Sequence, residues 1–111
     1  MLRQSDIAPR SACYFAQQAA EKALKGAICF AGDEPPYVHN LNVLRNRLPD
    51  DWSTRAEHPA LGLLTVWGVD SRYPTIYDEA TIEDAESAVA QAQSVYDSVA
   101  RDIAERRAKR G

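Results

Sequence analysis

The 111-residue sequence has few of the residues that build disulfide-stabilised or metal-binding domains. Its two cysteines, Cys13 and Cys29, lie sixteen positions apart in one stretch with helical periodicity. Such a helix rises about 1.5 Å per residue and separates them by roughly 24 Å, whereas a disulfide needs α-carbons within about 7 Å. Neither cysteine has a second cysteine or a histidine at ligand spacing. The sequence therefore predicts two reduced thiols packed as small apolar groups, with no metal site and no cofactor.

Long hydrophobic runs are also absent. The most apolar stretch is interrupted by five polar side chains, Gln17, Gln18, Glu21, Lys22 and Lys25, and so falls short of the about 18 apolar residues of a membrane helix. The N-terminal residues are mostly polar and lack the apolar central region of a secretory signal. We therefore expect a cytoplasmic protein without membrane contact. Its net charge of −3 gives no overall attraction to a polyanion, which argues against a general nucleic-acid coat protein.

What the sequence does contain predicts one all-α domain over residues 1–111, an up-and-down four-helix-type bundle with a long C-terminal helix. Residues 1–9 are expected to be a loose N-terminal segment and 104–111 a fraying basic tail. The first helix is predicted over 10–31 and ends at Gly32. One arc of this helix is apolar and mainly alanine: Ala12, Ala16, Ala19, Ala20, Ala23, Leu24, Ala27, Phe30 and Ala31. The five polar side chains named above gather on the opposite face.

Shorter segments follow the first helix. A second helix is predicted to begin near His39 or Asn40, and it carries Leu41, Leu44 and Leu48 at three- and four-residue spacing. Residues 50–59 are polar and irregular, which predicts a loop anchored by a packed Trp52. A third helix is predicted over 60–69.

The last helix has the strongest pattern. Thr81 and Asp84 form a predicted capping box. Apolar residues then alternate spacings of three and four, as in a helix that packs on a partner helix: Ile82, Ala85, Val89, Ala92, Tyr96, Val99 and Ile103. Acid-before-base pairs at four-residue spacing join Asp97 to Arg101, Asp102 to Arg106 and Glu105 to Lys109. We expect this helix to pack antiparallel to the alanine-faced first helix.

Four sequence blocks stand out. They are Tyr-Phe-Ala-Gln-Gln-Ala-Ala-Glu-Lys-Ala-Leu-Lys at 14–25, Gly-Asp-Glu-Pro-Pro at 32–36, His-Asn-Leu at 39–41 and Arg-Tyr-Pro at 72–74. In this order they resemble the HEPN family (higher eukaryote and prokaryote nucleotide-binding domain). The resemblance spans residues 10–103. It implies that the chain folds as a helical bundle. Proteins of this family are commonly dimeric, and many are encoded beside a small nucleotidyltransferase in toxin–antitoxin-like pairs.

One departure from the family bears on activity. Ribonuclease members carry an arginine followed after four to six residues by a histidine, which lets the arginine bind phosphate while the histidine acts as acid or base. Here Arg72 has no histidine after it; the two histidines are His39 and His58. The resemblance therefore implies the fold more strongly than ribonuclease activity.

Candidate binding residues are Arg72, Tyr73, and the face that carries Gln17, Gln18, Glu21, Lys22 and Lys25. Arg72 could bind a phosphate and Tyr73 could stack on a base, or Arg72 could form a salt bridge that fixes the turn before the last helix. His39 could meet Arg72 across the bundle, or cap the second helix and bond a backbone group. No catalytic residue is assigned.

Three functions follow as hypotheses. The first is a non-catalytic binding domain that partners a nucleotidyltransferase-like protein in a toxin–antitoxin-like pair and binds a nucleotide. The second is a metal-independent, toxin-like endoribonuclease that uses Arg72 with His39, with RNA as its substrate. The third is a homodimeric helical scaffold without a ligand, formed through the alanine-rich face.

Overall fold

A computed structural model describes residues 8–68 and 80–110 of the chain. It contains five helices in this part, α1 (Pro9–Phe30), α2 (Leu41–Asn46), α3 (Ser53–Glu57), α4 (Gly62–Val66) and α5 (Ile82–Arg110), and no strand there. The prediction of an all-α fold with a long C-terminal helix is confirmed. The predicted loose segment, apart from its last two residues, and the Arg72 turn lie outside the described residues.

Both ends of α1 follow local sequence signals. Pro9 occupies its first turn, where a missing N–H costs nothing. At the other end Gly32 adopts a φ of 90°, a left-handed conformation that glycine takes without strain. The amide of Gly32 donates to the carbonyl of Cys29 at 3.0 Å, and that of Asp33 donates to Ile28 at 3.1 Å. Gly32 therefore ends the helix as predicted.

The two long helices run parallel. Grooves between them are lined in order along both chains, from Pro9 beside Ile82, through Ala16 beside Ala92, to Phe30 beside Ile103. The predicted antiparallel pairing is wrong. The short helix α4 lies beside the N-terminal part of α5, where Leu64 and Trp67 line a groove with Asp84. The helix α5 therefore begins at the same end of the molecule as α1.

One hydrophobic core fills the space between α1, α5 and the short helices. Its largest fully buried aliphatic side chains are Leu24, Ile28, Leu41, Leu44, Leu48, Leu61, Leu64 and Val95. The alanines Ala20 and Ala27 let the neighbouring helices approach α1 closely. Cys13 is buried as predicted, but Cys29 is exposed.

The segment 50–59, predicted to be a loop, contains the helix α3. Its first amides are capped from outside the segment, because the carboxylate of Asp102 on α5 accepts from the backbone N–H of Ser53 at 3.2 Å and of Thr54 at 2.9 Å. The same carboxylate accepts from both hydroxyls, at 2.7 and 2.6 Å. The cap of this helix therefore comes from a residue 48 positions away, where no local pattern could reveal it.

Trp52 anchors this region as predicted. It is 2% exposed, its ring lies 6.2 Å from that of Phe30, and the guanidinium of Arg106 lies 4.5 Å above it. The predicted third helix is shorter than expected, since α4 covers only Gly62–Val66.

The helix α5 begins with the predicted capping box. The Thr81 hydroxyl accepts from the Asp84 amide at 3.0 Å, and the Asp84 carboxylate accepts from the Thr81 amide at 2.9 Å. Of the predicted pairs, Arg106 lies 3.6 Å from Asp102, but Arg101 binds Glu57 of α3 instead of Asp97. A partner on another element therefore replaced the local one.

The buried stripe of α5 differs from the predicted one. Ala85, Ala92 and Val99 are buried, together with Ala88 and Val95, which the prediction omitted. Three predicted core residues are instead exposed, Ile82, Val89 and Tyr96. The three-and-four spacing therefore joins residues from two adjacent faces of α5, of which only one is buried.

A buried histidine links α3 to α5. His58 is 7% exposed, and its Nε2 lies 3.0 Å from the Ser98 hydroxyl, which in turn donates to Glu57 at 2.7 Å. Burial lowers the pKa of His58, although a bond to the Ser94 backbone and the charge of Glu57 oppose the shift. The unfolded chain therefore binds a proton more readily at this position than the folded chain does.

This difference in proton binding predicts that the folded chain loses stability as the pH falls, at pH values above the range in which carboxylates titrate. Stability should be full above the unfolded pKa of about 6.5 and fall as the pH drops through that value, by at most about 1.4 kcal/mol per pH unit. Urea unfolding between about pH 7.5 and pH 5.5 measures it. The variant His58→Gln should show a flatter profile, and an equally steep one would contradict the assignment.

Candidate functional site

The site forms on α1, around two polar side chains that the fold buries. Gln17 is fully buried and Glu21 is 5% exposed. They lie one helical turn apart, and the Gln17 amide donates to a Glu21 oxygen at 3.1 Å. The prediction that both residues belong to a face opposite the buried stripe is wrong, because the segment that leads into α2 and the residues after α4 cover this part of α1.

The Glu21 carboxylate is the centre of the site. It accepts from Gln17, from the Lys25 ammonium at 2.9 Å, and from Nδ1 of His39, which lies 3.1 and 3.0 Å from its two oxygens. Burial alone would raise the pKa of Glu21, but the hydrogen bonds from Lys25, Gln17 and His39 outweigh it and hold the pKa below its usual value. Glu21 is therefore a buried, ionised carboxylate at neutral pH.

The geometry orients the His39 ring. An ionised carboxylate only accepts hydrogen bonds, so Nδ1 carries the proton that is donated to Glu21. Nε2 is the ring nitrogen that does not contact Glu21. The side chain is 70% exposed, and no hydrogen bond reaches Nε2 from the described residues.

The cap of α2 comes from Asn40, which accepts from the amides of Asn42 and Val43, so the predicted capping role of His39 is wrong. The backbone carbonyl of His39 accepts from Gln17 at 3.1 Å.

The residue Gly68 closes the site on the side of α4. A β-carbon at this position would come within 2.3 Å of the Gln17 side chain, so any other residue here would require the buried Gln17 amide to move. Gln18 adds a further bond, because its side-chain amide donates to the side-chain oxygen Oε1 of Gln17 at 2.7 Å. We call the group Gln17, Gln18, Glu21, Lys25 and His39 the Glu21 cluster.

The structure thus brings together five of the predicted site residues and separates a sixth. Lys22 lies on another side of α1, where it lines a groove with Arg107 of α5. Arg72 and Tyr73 lie outside the described residues. Gly68 is a site residue that the sequence analysis did not predict. Its only signal in the sequence is its position at the end of a predicted helix.

The described part of the chain contains no helix long and apolar enough to cross a membrane. In the same residues, no group of three or more histidine, cysteine, aspartate or glutamate side chains is placed to hold a metal ion.

Fold and site together define a small helical domain with a buried carboxylate cluster on its first helix. The family model described as HEPN domain matches residues 5–103, and the chain belongs to the HEPN family. This makes it a nucleotide-binding or ribonuclease-type helical domain. Searches of curated proteins and of solved structures found no match.

The Glu21 cluster predicts a specific tautomer for His39. Free histidine favours a proton on Nε2, whereas the bond to Glu21 should hold the proton on Nδ1 in the neutral ring. Long-range nitrogen–proton NMR spectra of the ring distinguish the two forms. In the variant Glu21→Ala, the Nδ1-protonated signal of His39 should be lost while the spectrum of His58 is kept. An unchanged His39 tautomer in that variant would contradict the geometry.

Proposed function

We propose that this HEPN domain is a non-catalytic nucleotide-binding domain that partners a nucleotidyltransferase-like protein in a toxin–antitoxin-like pair. The observation that carries the nucleotide-binding part is the Glu21 cluster. Lys25 and His39 both bind Glu21 Oε2, at 2.9 and 3.0 Å, so one buried carboxylate holds two nitrogen-bearing side chains next to each other at the surface.

Both side chains keep binding capacity beyond Glu21. An ammonium has three N–H donors, and Lys25 uses one of them on Glu21. A protonated His39 would offer Nε2 as a further donor. Phosphate oxygens accept such charge-assisted bonds, and the ionised Glu21 keeps the local charge balanced when no ligand is bound. The cluster therefore supports binding of a nucleotide phosphate.

Arg72 is the third proposed phosphate ligand. It follows Gly68, which lies against Gln17, by four positions in the sequence. Its guanidinium would donate two parallel hydrogen bonds to phosphate oxygens. Tyr73 beside it would stack on the base of the nucleotide.

Equilibrium binding tests this proposal. Calorimetric titration with AMP, ATP and a short single-stranded RNA should show binding by the unmodified chain, weakened about tenfold or more in Arg72→Ala and in Lys25→Ala, as expected for loss of a charge-assisted bond. Arg101→Ala is the matched control, since Arg101 binds Glu57 away from the cluster, and its affinity should not change. Absence of binding to all three compounds would refute the nucleotide-binding part.

The protein partner is tested separately. If the adjacent reading frame encodes a nucleotidyltransferase, co-expression of the two chains should yield a complex that survives size-exclusion chromatography. An adjacent nucleotidyltransferase that never co-purifies with this chain would contradict the proposed pair, and so would a genome with no such reading frame beside this one.

A second candidate function is metal-independent RNA cleavage with Arg72 and His39. The observation in its favour is the bond from His39 Nδ1 to Glu21, because catalytic histidines commonly have one ring nitrogen oriented by a carboxylate and the other free to move a proton. Arg72 would bind the phosphate whose charge develops during attack by the ribose hydroxyl.

Incubation with RNA in the presence of a chelator separates the two functions. Cleavage that is lost in both Arg72→Ala and His39→Ala, and reduced in Glu21→Gln, would establish the enzyme. Binding without cleavage at any protein concentration would leave only the non-catalytic domain. Cleavage that persists in His39→Ala would rule out this histidine as the base.

A further inference from the structure

The segment that joins α1 to α2 carries a fully exposed aromatic side chain, Tyr37. A single exposed aromatic residue is common on protein surfaces and indicates nothing by itself. Two features of its surroundings distinguish Tyr37. The backbone that carries it is restrained on both sides, and it lies close to the Glu21 cluster along the chain. We call residues 33–39 the Tyr37 loop.

The backbone on either side of Tyr37 has little freedom. Pro35 and Pro36 come directly before it, and each proline ring fixes one φ angle. Val38 comes directly after it and packs against the hydrophobic core. The Val38 amide donates to the Pro36 carbonyl at 2.9 Å, which closes a three-residue turn centred on Tyr37.

The two ends of the Tyr37 loop are also tied to the helices. The Arg47 guanidinium, at the end of α2, donates to the Asp33 carboxylate at 2.9 and 3.2 Å. At the other end of the loop, the His39 carbonyl accepts from the buried Gln17 of α1 at 3.1 Å. The loop is therefore organised before any ligand arrives, which lowers the entropy lost on binding.

Tyr37 lies close to the proposed phosphate ligands. It is two residues before His39, and both peptide bonds between them are trans, so their α-carbons lie within about 7.6 Å of each other. His39 and Lys25 both contact Glu21 Oε2. In a nucleotide a single ribose separates the phosphate from the base. A phosphate bound by Lys25 and His39 therefore places the base within reach of the Tyr37 ring.

The neighbours of Tyr37 favour a small, flat ligand over a protein surface. An aromatic anchor of a protein interface is usually surrounded by apolar contacts that exclude water. Here the exposed residues nearby in the sequence are polar, namely Glu34, His39 and Asn40. An isolated aromatic ring next to a phosphate site is instead what a stacked base requires.

We propose that the ligand of this site is a nucleotide whose base stacks on Tyr37 while Lys25 and His39 bind its phosphate. This role of Tyr37 rests on the proposed nucleotide binding at the Glu21 cluster, and it distinguishes nucleotides from other phosphate compounds. A base has two faces, so the role is compatible with the one proposed for Tyr73. Every base has a π-face, so Tyr37 selects nucleotides as a class rather than one particular base.

An NMR titration with AMP and with ribose 5-phosphate tests the stacking role separately from phosphate binding. Both compounds carry the phosphate, so the ring signals of His39 should shift with each. Only AMP carries a base, whose ring current should move the ring protons of Tyr37 upfield. Shifts at His39 with both compounds and at Tyr37 with neither would overturn the stacking role and leave phosphate binding intact. No shift at either residue would refute both proposals.

Calorimetric titration of variants measures the contribution of the ring. Tyr37→Ala should bind AMP about tenfold more weakly but keep its affinity for ribose 5-phosphate, and Tyr37→Phe should retain the AMP affinity of the parent. Tyr96→Ala is the matched control, because Tyr96 is also exposed but lines grooves that contain no residue of the Glu21 cluster. Unchanged AMP affinity in Tyr37→Ala, or an equal loss in Tyr96→Ala, would overturn the stacking role.

Discussion

Replacing Asp102 with alanine is expected to lower the free energy of unfolding by about 3 to 5 kcal/mol. The carboxylate is 1% exposed and accepts four hydrogen bonds from Ser53 and Thr54, at 2.6 to 3.2 Å. Its removal leaves two backbone N–H groups and two hydroxyls of α3 without their acceptor, and each buried donor without a partner costs about 1 to 3 kcal/mol. Equilibrium unfolding in urea, monitored by circular dichroism, measures the loss.

Asp97 provides the control for this substitution. It lies five residues earlier on the same helix, is exposed, and accepts from Gln93 at 2.9 Å. Its replacement with alanine should change the unfolding free energy by less than about 0.5 kcal/mol. Similar losses in the two variants would show that helix propensity, rather than the cap of α3, determines the effect at Asp102.

Replacing Trp52 with alanine is expected to cost a similar amount, about 3 to 5 kcal/mol. The indole is 2% exposed, contacts Phe30 edge to face, and lies under the Arg106 guanidinium. The substitution removes apolar burial, an aromatic pair and a cation–π contact at once, and it leaves a cavity where the chain enters α3. The midpoint of urea unfolding should fall accordingly.

Two further tryptophan variants separate these contributions. Trp52→Phe keeps an aromatic ring in the core and should lose less than the alanine variant. Trp67→Ala removes the second tryptophan, which is only partly buried, and should also lose less. If Trp67→Ala were the more destabilising of the two alanine variants, Trp52 would not be the anchor described above.

The sequence predicted the elements whose signals are local. The start and end of α1 and the capping box at Thr81 each depend on residues within a few positions of one another. The resemblance to the HEPN family pointed to the block that contains Gln17, Glu21 and Lys25. These residues proved to lie together in the structure.

Contacts between residues that are far apart in the sequence could not be predicted from local sequence patterns. The helix α3 needs Asp102 for its cap, and Glu57 attracts Arg101 away from Asp97. Local patterning places Glu21 on a face opposite the core. In the structure Gln17, Lys25 and His39 all donate to its buried carboxylate, and His39 lies 18 residues along the chain, beyond the range of a local pattern.

The direction of packing was also hidden. The connection between α1 and α5 contains three short helices where the sequence predicted two, and sequence periodicity over five residues carries little information about a helix. The same limit explains why α4 was predicted too long. The exposed row of Ile82, Val89 and Tyr96 was assigned to the core because hydrophobic spacing does not distinguish an internal seam from a surface one.

The most direct measurement of the central claim is an NMR titration of the unmodified chain with AMP, with the ring signals of both histidines followed. If the Glu21 cluster binds a nucleotide phosphate, the ring signals of His39 should shift and saturate with AMP, while those of the buried His58 stay in place. In Arg72→Ala, the same shift at His39 should require an AMP concentration about tenfold higher or more. Unchanged His39 signals in the unmodified chain, or equal shifts of both histidines, would contradict nucleotide binding at this cluster.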